Sequence, residues 1–132
     1  MNIYLFLGIF LLADLLLILY VLYRKSLKRF SQRELSFFKK EWQRIFALDD
    51  GKHAVMEADK LLHVVLSKKG YAGTVGEQLK KGEKLFSNIN DVWFAHKLRN
   101  NIAHELDVRI SRAERDRALR SFEKALKDLG AL

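Results

Sequence analysis

Residues Ile3 to Tyr23 form a run of 21 positions that is apolar but for Asp14. At a rise of about 1.5 Å per residue, a helix of that length spans about 30 Å, the thickness of a bilayer's hydrocarbon core. Lys and Arg are missing before the run, whereas Arg24, Lys25, Lys28, Arg29 and Arg33 follow it closely. The positive-inside rule then holds that flank in the cytoplasm and sends the N-terminus out. A cleavable signal would need a basic start, a shorter apolar core and a small-residue cleavage site. These features are missing, so the run reads as an uncleaved single-pass anchor in the plasma (inner) membrane, followed by a cytoplasmic domain. Asp14 sits mid-span, where a lone carboxylate costs about 2.5–3.5 kcal/mol on insertion scales. Two readings fit it: a residue tolerated in protonated form by a very apolar helix, or a contact with a partner transmembrane helix, a second copy included.

The formal net charge of +8 divides unevenly. Residues 24–44 carry eight Lys/Arg against Glu34 and Glu41, whereas residues 45–132 carry sixteen against thirteen Asp/Glu. Membrane topology and anionic headgroups account for most of the excess, which is therefore weak evidence for nucleic acid. Arg109, Arg112, Arg115, Arg117 and Arg120 cluster late in the chain. Glu114, Asp116 and Glu123 are interleaved with them, the pattern of a solvated helix face. Cysteine is absent, which removes disulfides and thiolate chemistry, and proline is absent too, which suits a helical chain.

Six helical segments are expected. The anchor covers about residues 3–23. A second helix, about 26–48, continues from it without a breaker and carries an apolar stripe of Leu35, Phe38, Trp42, Ile45 and Phe46. It either packs on the domain or serves as a stalk, and Asp49-Asp50-Gly51 ends it. The third, about 52–69, buries Ala54, Val55, Ala58, Leu61, Leu62 and Val65 and stops at Gly70. Thr74 and Glu77 form a capping box for a fourth, about 75–87, weakened by Gly82 and contributing Leu79, Leu85 and Phe86. A fifth, about 91–107, is capped by Asn90 or Asp91. The sixth starts at Ser111 with Glu114 as a second capping box, buries Ala118, Phe122, Ala125 and Leu129, and ends at Gly130. No long period-two alternation appears, so no sheet is expected.

The densest chemistry lies in Arg99-Asn100-Asn101-Ile102-Ala103-His104-Glu105 on the fifth helix. At 100° per residue, His96, Asn100 and His104 make one slanting row, with Arg99 and Ala103 beside it. Phe94, Leu98 and Ile102, extended by Leu106, supply an apolar stripe on the opposite wall. The helix thus reads as having one buried face and a separate broad face on which Arg, Asn and His meet. Trp93 and His96 lie on that side, offering a stacking surface and a further imidazole.

The Arg-x-x-x-x-His spacing, with Asn directly after the Arg and the continuation Ala103-His104-Glu105, resembles the motif of the HEPN superfamily. Its members are small helical bundles, many of which dimerise. The resemblance covers about residues 52–129, in helical pattern as well as motif. For catalytic members it implies metal-independent RNA cleavage: the 2′-hydroxyl attacks the adjacent phosphate and leaves a cyclic phosphate end. It marks Arg99, Asn100 and His104 as the catalytic set, with Trp93, His96 and Glu105 as neighbouring binding residues. The residue types suit that chemistry. A histidine with a reference pKa of about 6.5 moves protons at neutral pH, and an arginine braces phosphoryl oxygens as charge builds. Cleavage needs both a base and an acid, so a dimer apposing two motif helices would complete the site. Many HEPN-like bundles are non-catalytic, and the same face serves equally as a binding or dimerisation surface.

Other features explain themselves more simply. Gly70, Gly73 and Gly76 lack the strand before and the Gly-Lys-Ser/Thr after that a phosphate loop needs, so they read as turn formers. Of the four histidines, His96 and His104 share a row but sit about 12 Å apart by helical rise, too far to chelate one ion, and His53 and His63 read as surface or core filler. Trp42 reads as packing. The expectation is an all-α chain with a transmembrane anchor (1–23), a basic juxtamembrane amphipathic helix (24–50) and a HEPN-like four- or five-helix domain (51–132). No cofactor or metal is expected. The expected partners are the lipid bilayer, a second copy of the chain, RNA or a nucleotide, and a transmembrane helix at Asp14. Two functions follow: a membrane-anchored endoribonuclease acting as a dimer, or a non-catalytic module binding a protein or nucleotide. In sealed membranes, a protease confined to the outer face is expected to leave residues 24–132 intact; digestion of that region reverses the orientation.

Overall fold

A computed structural model of the chain describes residues 2–27 and 29–132. Part of the expected basic flank, Lys28 and the side chains of Arg24 and Lys25, lies outside the described residues. Among the described residues every regular element is helical and no strand occurs. The chain forms two compact units, Met1–Phe30 and Ser31–Leu132.

The first unit contains α1 (Ile3–Leu27). Within it Ile3–Tyr23 has a mean hydropathy of 2.8 and is long and apolar enough to cross a membrane. Its large apolar side chains from Ile3 to Tyr23 are exposed on every face.

The second unit begins with α2 (Gln32–Phe46), a separate helix and not a continuation of the first. Ser31 starts it: the Ser31 hydroxyl accepts from the Glu34 N–H at 3.2 Å, and the Glu34 carboxylate accepts from the Ser31 N–H at 2.9 Å. That capping box overrides the absence of Pro or Gly that made one long helix plausible. Phe38, Trp42 and Ile45 are buried at spacings of four and three, whereas Phe46, one residue round the axis, is exposed. Helix α2 packs on α3 (Gly51–Lys68), so it is a member of the bundle and not a stalk. Asp50 is the N-cap of α3, accepting from Lys52 and His53 N–H, instead of the end of α2.

Helices α3, α5 (Ile89–His104) and α6 (Arg112–Asp128) pack on one another, and α4 (Val75–Lys81) sits against α3 and α5. The expected faces of α3 and α6 are the ones that close the core: Ala54, Val55, Ala58, Leu62, Val65, Ala118, Phe122 and Ala125 are all essentially solvent-free. Helix α4 is shorter than expected. It stops at Gly82, where a Cβ would lie 3.2 Å from the Gln78 carbonyl, and a 3₁₀ turn (Glu83–Leu85) follows. Leu85 is accordingly exposed while Leu79 and Phe86 are buried.

Helix α5 departs most from its expected shape. Its cap is Asn88, not Asn90 or Asp91, and it ends at His104 with Glu105 already extended. Its buried residues are Val92, Ala95, His96 and Leu98. Of the expected stripe only Leu98 is buried; Phe94 is half-covered beneath the Arg117 guanidinium at 3.8 Å, and Leu106 is fully exposed. The late arginines are mostly solvated, as expected: Arg109, Arg112, Arg117 and Arg120 are exposed, Arg117 while pairing with Asp91 at 3.6 Å, and only Arg115 is half-buried, donating to the Leu48 carbonyl at 3.1 Å.

Phe122→Ala is expected to cost about 3–5 kcal/mol by chemical denaturation, since Phe122 has no exposed surface and its truncation leaves a cavity in the core. Acid is expected to weaken the bundle. The Glu57 carboxyl is held below its usual range by bonds from Lys60 and Arg44. For Asp128 burial acts upward, but the Ser87 N–H and hydroxyl outweigh it and lower the pKa. Both groups bind protons less readily folded than unfolded. Their contribution is complete above the unfolded carboxylate range and is lost as pH falls through the lower folded values. Asp128→Asn should therefore lower the Tm at neutral pH and leave a shallower acid limb, as followed by circular dichroism.

Candidate functional site

Asp59 lies on the buried side of α3, among Ala58, Leu61 and Leu62, and is only 3% exposed. Helix α5 brings two partners to it. His96 Nδ1 lies 2.8 Å from Asp59 Oδ1, and Arg99 Nε lies 3.4 Å from Asp59 Oδ2. The second contact is a charge pair without hydrogen-bond alignment, because the buried Arg99 Nε–H has no acceptor in line. Arg99 Nη1 donates to Asn100 Oδ1 at 3.1 Å, and Asn100 Nδ2 faces His96 Nε2 at 3.3 Å. The four side chains make a closed ring.

The chemistry of the ring fixes its protons. Arginine only donates, so the oxygen of Asn100 faces Arg99 and its NH₂ faces the histidine. His96 Nε2 must then accept, and Nδ1 carries the proton toward the carboxylate. His96 is thus a structural imidazole whose Nε2 lone pair is already occupied. The Trp93 indole packs edge-on against it, ring centroids 5.9 Å apart.

The ring forms one wall of a crevice of about 950 Å³ between α3, α4 with its leading loop, and α5. Lys60 and His63 from α3, Gly73 to Glu77 and Lys80 from the α4 side, and Trp93, His96, Arg99 and Asn100 from α5 line it. Two glycines keep it open. Gly73 has φ of +102°, and a Cβ there would collide with the Glu77 carboxylate that caps Thr74. At Gly76 a Cβ would sit 3.8 Å from both His96 Nε2 and the Trp93 ring, so a side chain fits there only by filling the crevice. Gly73 is the turn former expected, whereas Gly76 lies inside α4 and borders the crevice. Lys80 has no protein acceptor among the described residues, and neither has the Arg99 Nη2 group.

Of the residues singled out from sequence, Arg99, Asn100, Trp93 and His96 meet at the crevice. His104 and Glu105 do not line it; both are exposed at the end of α5. At about 100° per residue, five positions separate Arg99 from His104 by about 140° around the axis. Within one chain the Arg and the motif His therefore do not share a face, and Asp59 turns Arg99 the other way. Asp59 and His63 were not anticipated. Asp59 carries one faint signal, a carboxylate embedded in an otherwise apolar helical face.

A second cavity, about 780 Å³, gathers Lys52, Arg109, Arg112 and Arg115. Asp49 and Asp50 lie among these cations, and Arg115 is committed to Leu48 and Asp116, which leaves it a compensated site. Among the described residues no group of three or more His, Cys, Asp or Glu comes close enough to hold a metal ion. No family model, curated protein or solved structure matches the chain.

Asp59→Ala leaves His96 and Arg99 without their shared carboxylate. It is expected to destabilise the unit by about 3 kcal/mol, and Asp59→Asn by less, both measured by denaturant unfolding.

Proposed function

We propose that this chain is a membrane-tethered, HEPN-like binding module that holds a phosphodiester, an RNA backbone or a nucleotide, in the crevice beside Arg99. The observation that carries the reading is the state of Arg99. Its guanidinium is fixed by Asp59 and Asn100 yet keeps an unused amino group at a crevice that also holds Lys80 and the Trp93 ring. A preorganised guanidinium suits phosphoryl oxygens, and an indole suits a base stacked beside them. Helix α1 would anchor the module with its N-terminus outside and the crevice in the cytoplasm.

The ribonuclease reading is second, and it requires a homodimer. It would need a second copy to place its own His104 in this chain's crevice, and the exposure of His104 at the end of α5 is what leaves that side chain able to reach a partner. Asp14 would then be a contact between paired anchors. His96 is not a substitute base, because its Nε2 is engaged by Asn100.

The test uses the detergent-solubilised full chain with chelator present. A 2′-O-methyl oligouridylate, which cannot be cleaved through its 2′-oxygen, is expected to bind, more weakly as salt rises. Arg99→Gln and Gly76→Leu are expected to weaken binding by about tenfold or more while the fold persists by circular dichroism. Unchanged affinity in both variants removes the crevice as the site. If unmodified RNA is cut and His104→Ala abolishes the cut, the dimeric nuclease is the better reading.

A further inference from the structure

Gln78 is the most deeply buried polar side chain near the crevice, with no exposed surface. Its Nε2 donates to the Tyr71 carbonyl at 2.7 Å and to Ser67 Oγ at 3.0 Å. A carbonyl only accepts, so this bond fixes which end of the amide is which. The Gln78 oxygen is left facing His63 Nδ1 at 3.0 Å. His63 Nδ1 must therefore carry a proton at every pH at which the contact persists. The other ring nitrogen, Nε2, has no protein partner among the described residues, and His63 lines the crevice. The two histidines there are thus in opposite conditions: the free edge of His96 is spent on Asn100, and that of His63 is open.

We infer that His63 is the protonation-dependent ligand contact of this crevice: charged, its Nε2–H donates to a phosphodiester oxygen, and neutral, it presents a lone pair that repels one. This inference rests on the crevice being a phosphodiester site. The groups around His63 bear on the sign. Lys60 and Asp59 share its helix, Glu77 and Lys80 come from α4, and His96 and Arg99 from α5. Lys60 is held by Glu57 at 3.0 Å, Asp59 is occupied by the ring, and the Glu77 carboxylate is turned to the Thr74 N–H at 2.8 Å. Neither carboxylate is turned to neutralise a charge gained at His63 Nε2, and the Lys60 and Lys80 ammonium groups oppose it, whereas a bound phosphodiester neutralises it. Binding and protonation therefore reinforce each other, and affinity rises as pH falls from 8 to 5.5.

The probe is the 2′-O-methyl oligouridylate with a 5′-hydroxyl, which has no group titrating between pH 5.5 and 8. The full chain in detergent is expected to bind it about tenfold more tightly at pH 5.5 than at pH 8. His63→Asn, which keeps an amide donor toward Gln78 but removes Nε2, should bind as wild type does at pH 8 and show no rise. His53→Gln, outside the crevice, should keep the rise. Long-range ¹H–¹⁵N spectra of the imidazoles at pH 8 should show His63 protonated at Nδ1. Three results overturn the inference: Arg99-dependent binding that ignores pH, a rise that survives in His63→Asn, or a His63 ring that at pH 8 carries its proton on Nε2 instead of Nδ1. Binding indifferent to Arg99→Gln and Gly76→Leu instead overturns the crevice reading beneath it.

Discussion

A carboxylate that is almost wholly removed from water cannot remain charged in a helical core unless it is surrounded by donors. Asp59 meets that demand with one imidazole and one guanidinium, both from α5. The requirement sets the rotation of α5 about its axis. His96 must face inward, which places Val92 and Ala95 in the core and leaves Phe94 at the edge beneath Arg117. It also turns Arg99 toward the crevice and carries His104 to the opposite side. The polar ring is thus a fastener between two helices and the wall of a crevice at once. A structure that spends a buried ion pair in this way gains register more than net stability.

Much of the architecture was legible from short-range chemistry. The capping boxes at Thr74 and Ser111 appear as read, because a cap needs only residues three apart. The apolar faces of α3 and α6 were legible because each has one wide stripe and a polar remainder. The box at Ser31 was equally readable, yet the unbroken helix-forming run around it concealed the start. Helix α5 misled for a different reason. Its apolar residues are spread round the axis, so periodicity could not say which side faces inward. The tertiary partner that decides the matter, Asp59, lies 37 residues earlier in the chain. The conspicuous pair Arg99 and His104 was visible in the sequence, but its geometry depended on that distant carboxylate.

Histidine illustrates the same limit. Four are present, and sequence spacing sorted them by distance along one helix. Their chemical condition is set by what holds the other ring nitrogen. Asn100 consumes the available edge of His96, whereas the solvent-free amide of Gln78 anchors His63 from behind and leaves its front open. A residue that reads as filler thus carries the one unoccupied imidazole edge in the crevice, and the residue beside the motif is structural.

The start of α2 has an evolutionary corollary. Glu34 closes the Ser31 cap and also accepts from Lys68 at the far end of α3, so the helical body is laced shut at its own first turn. The residues that write that beginning, Ser31, Glu34 and Lys68, all lie within the second unit. The apolar run Ile3–Tyr23 and the helical unit Ser31–Leu132 are thus written in separate stretches of the sequence, so that change in the first need not redraw the caps of the second.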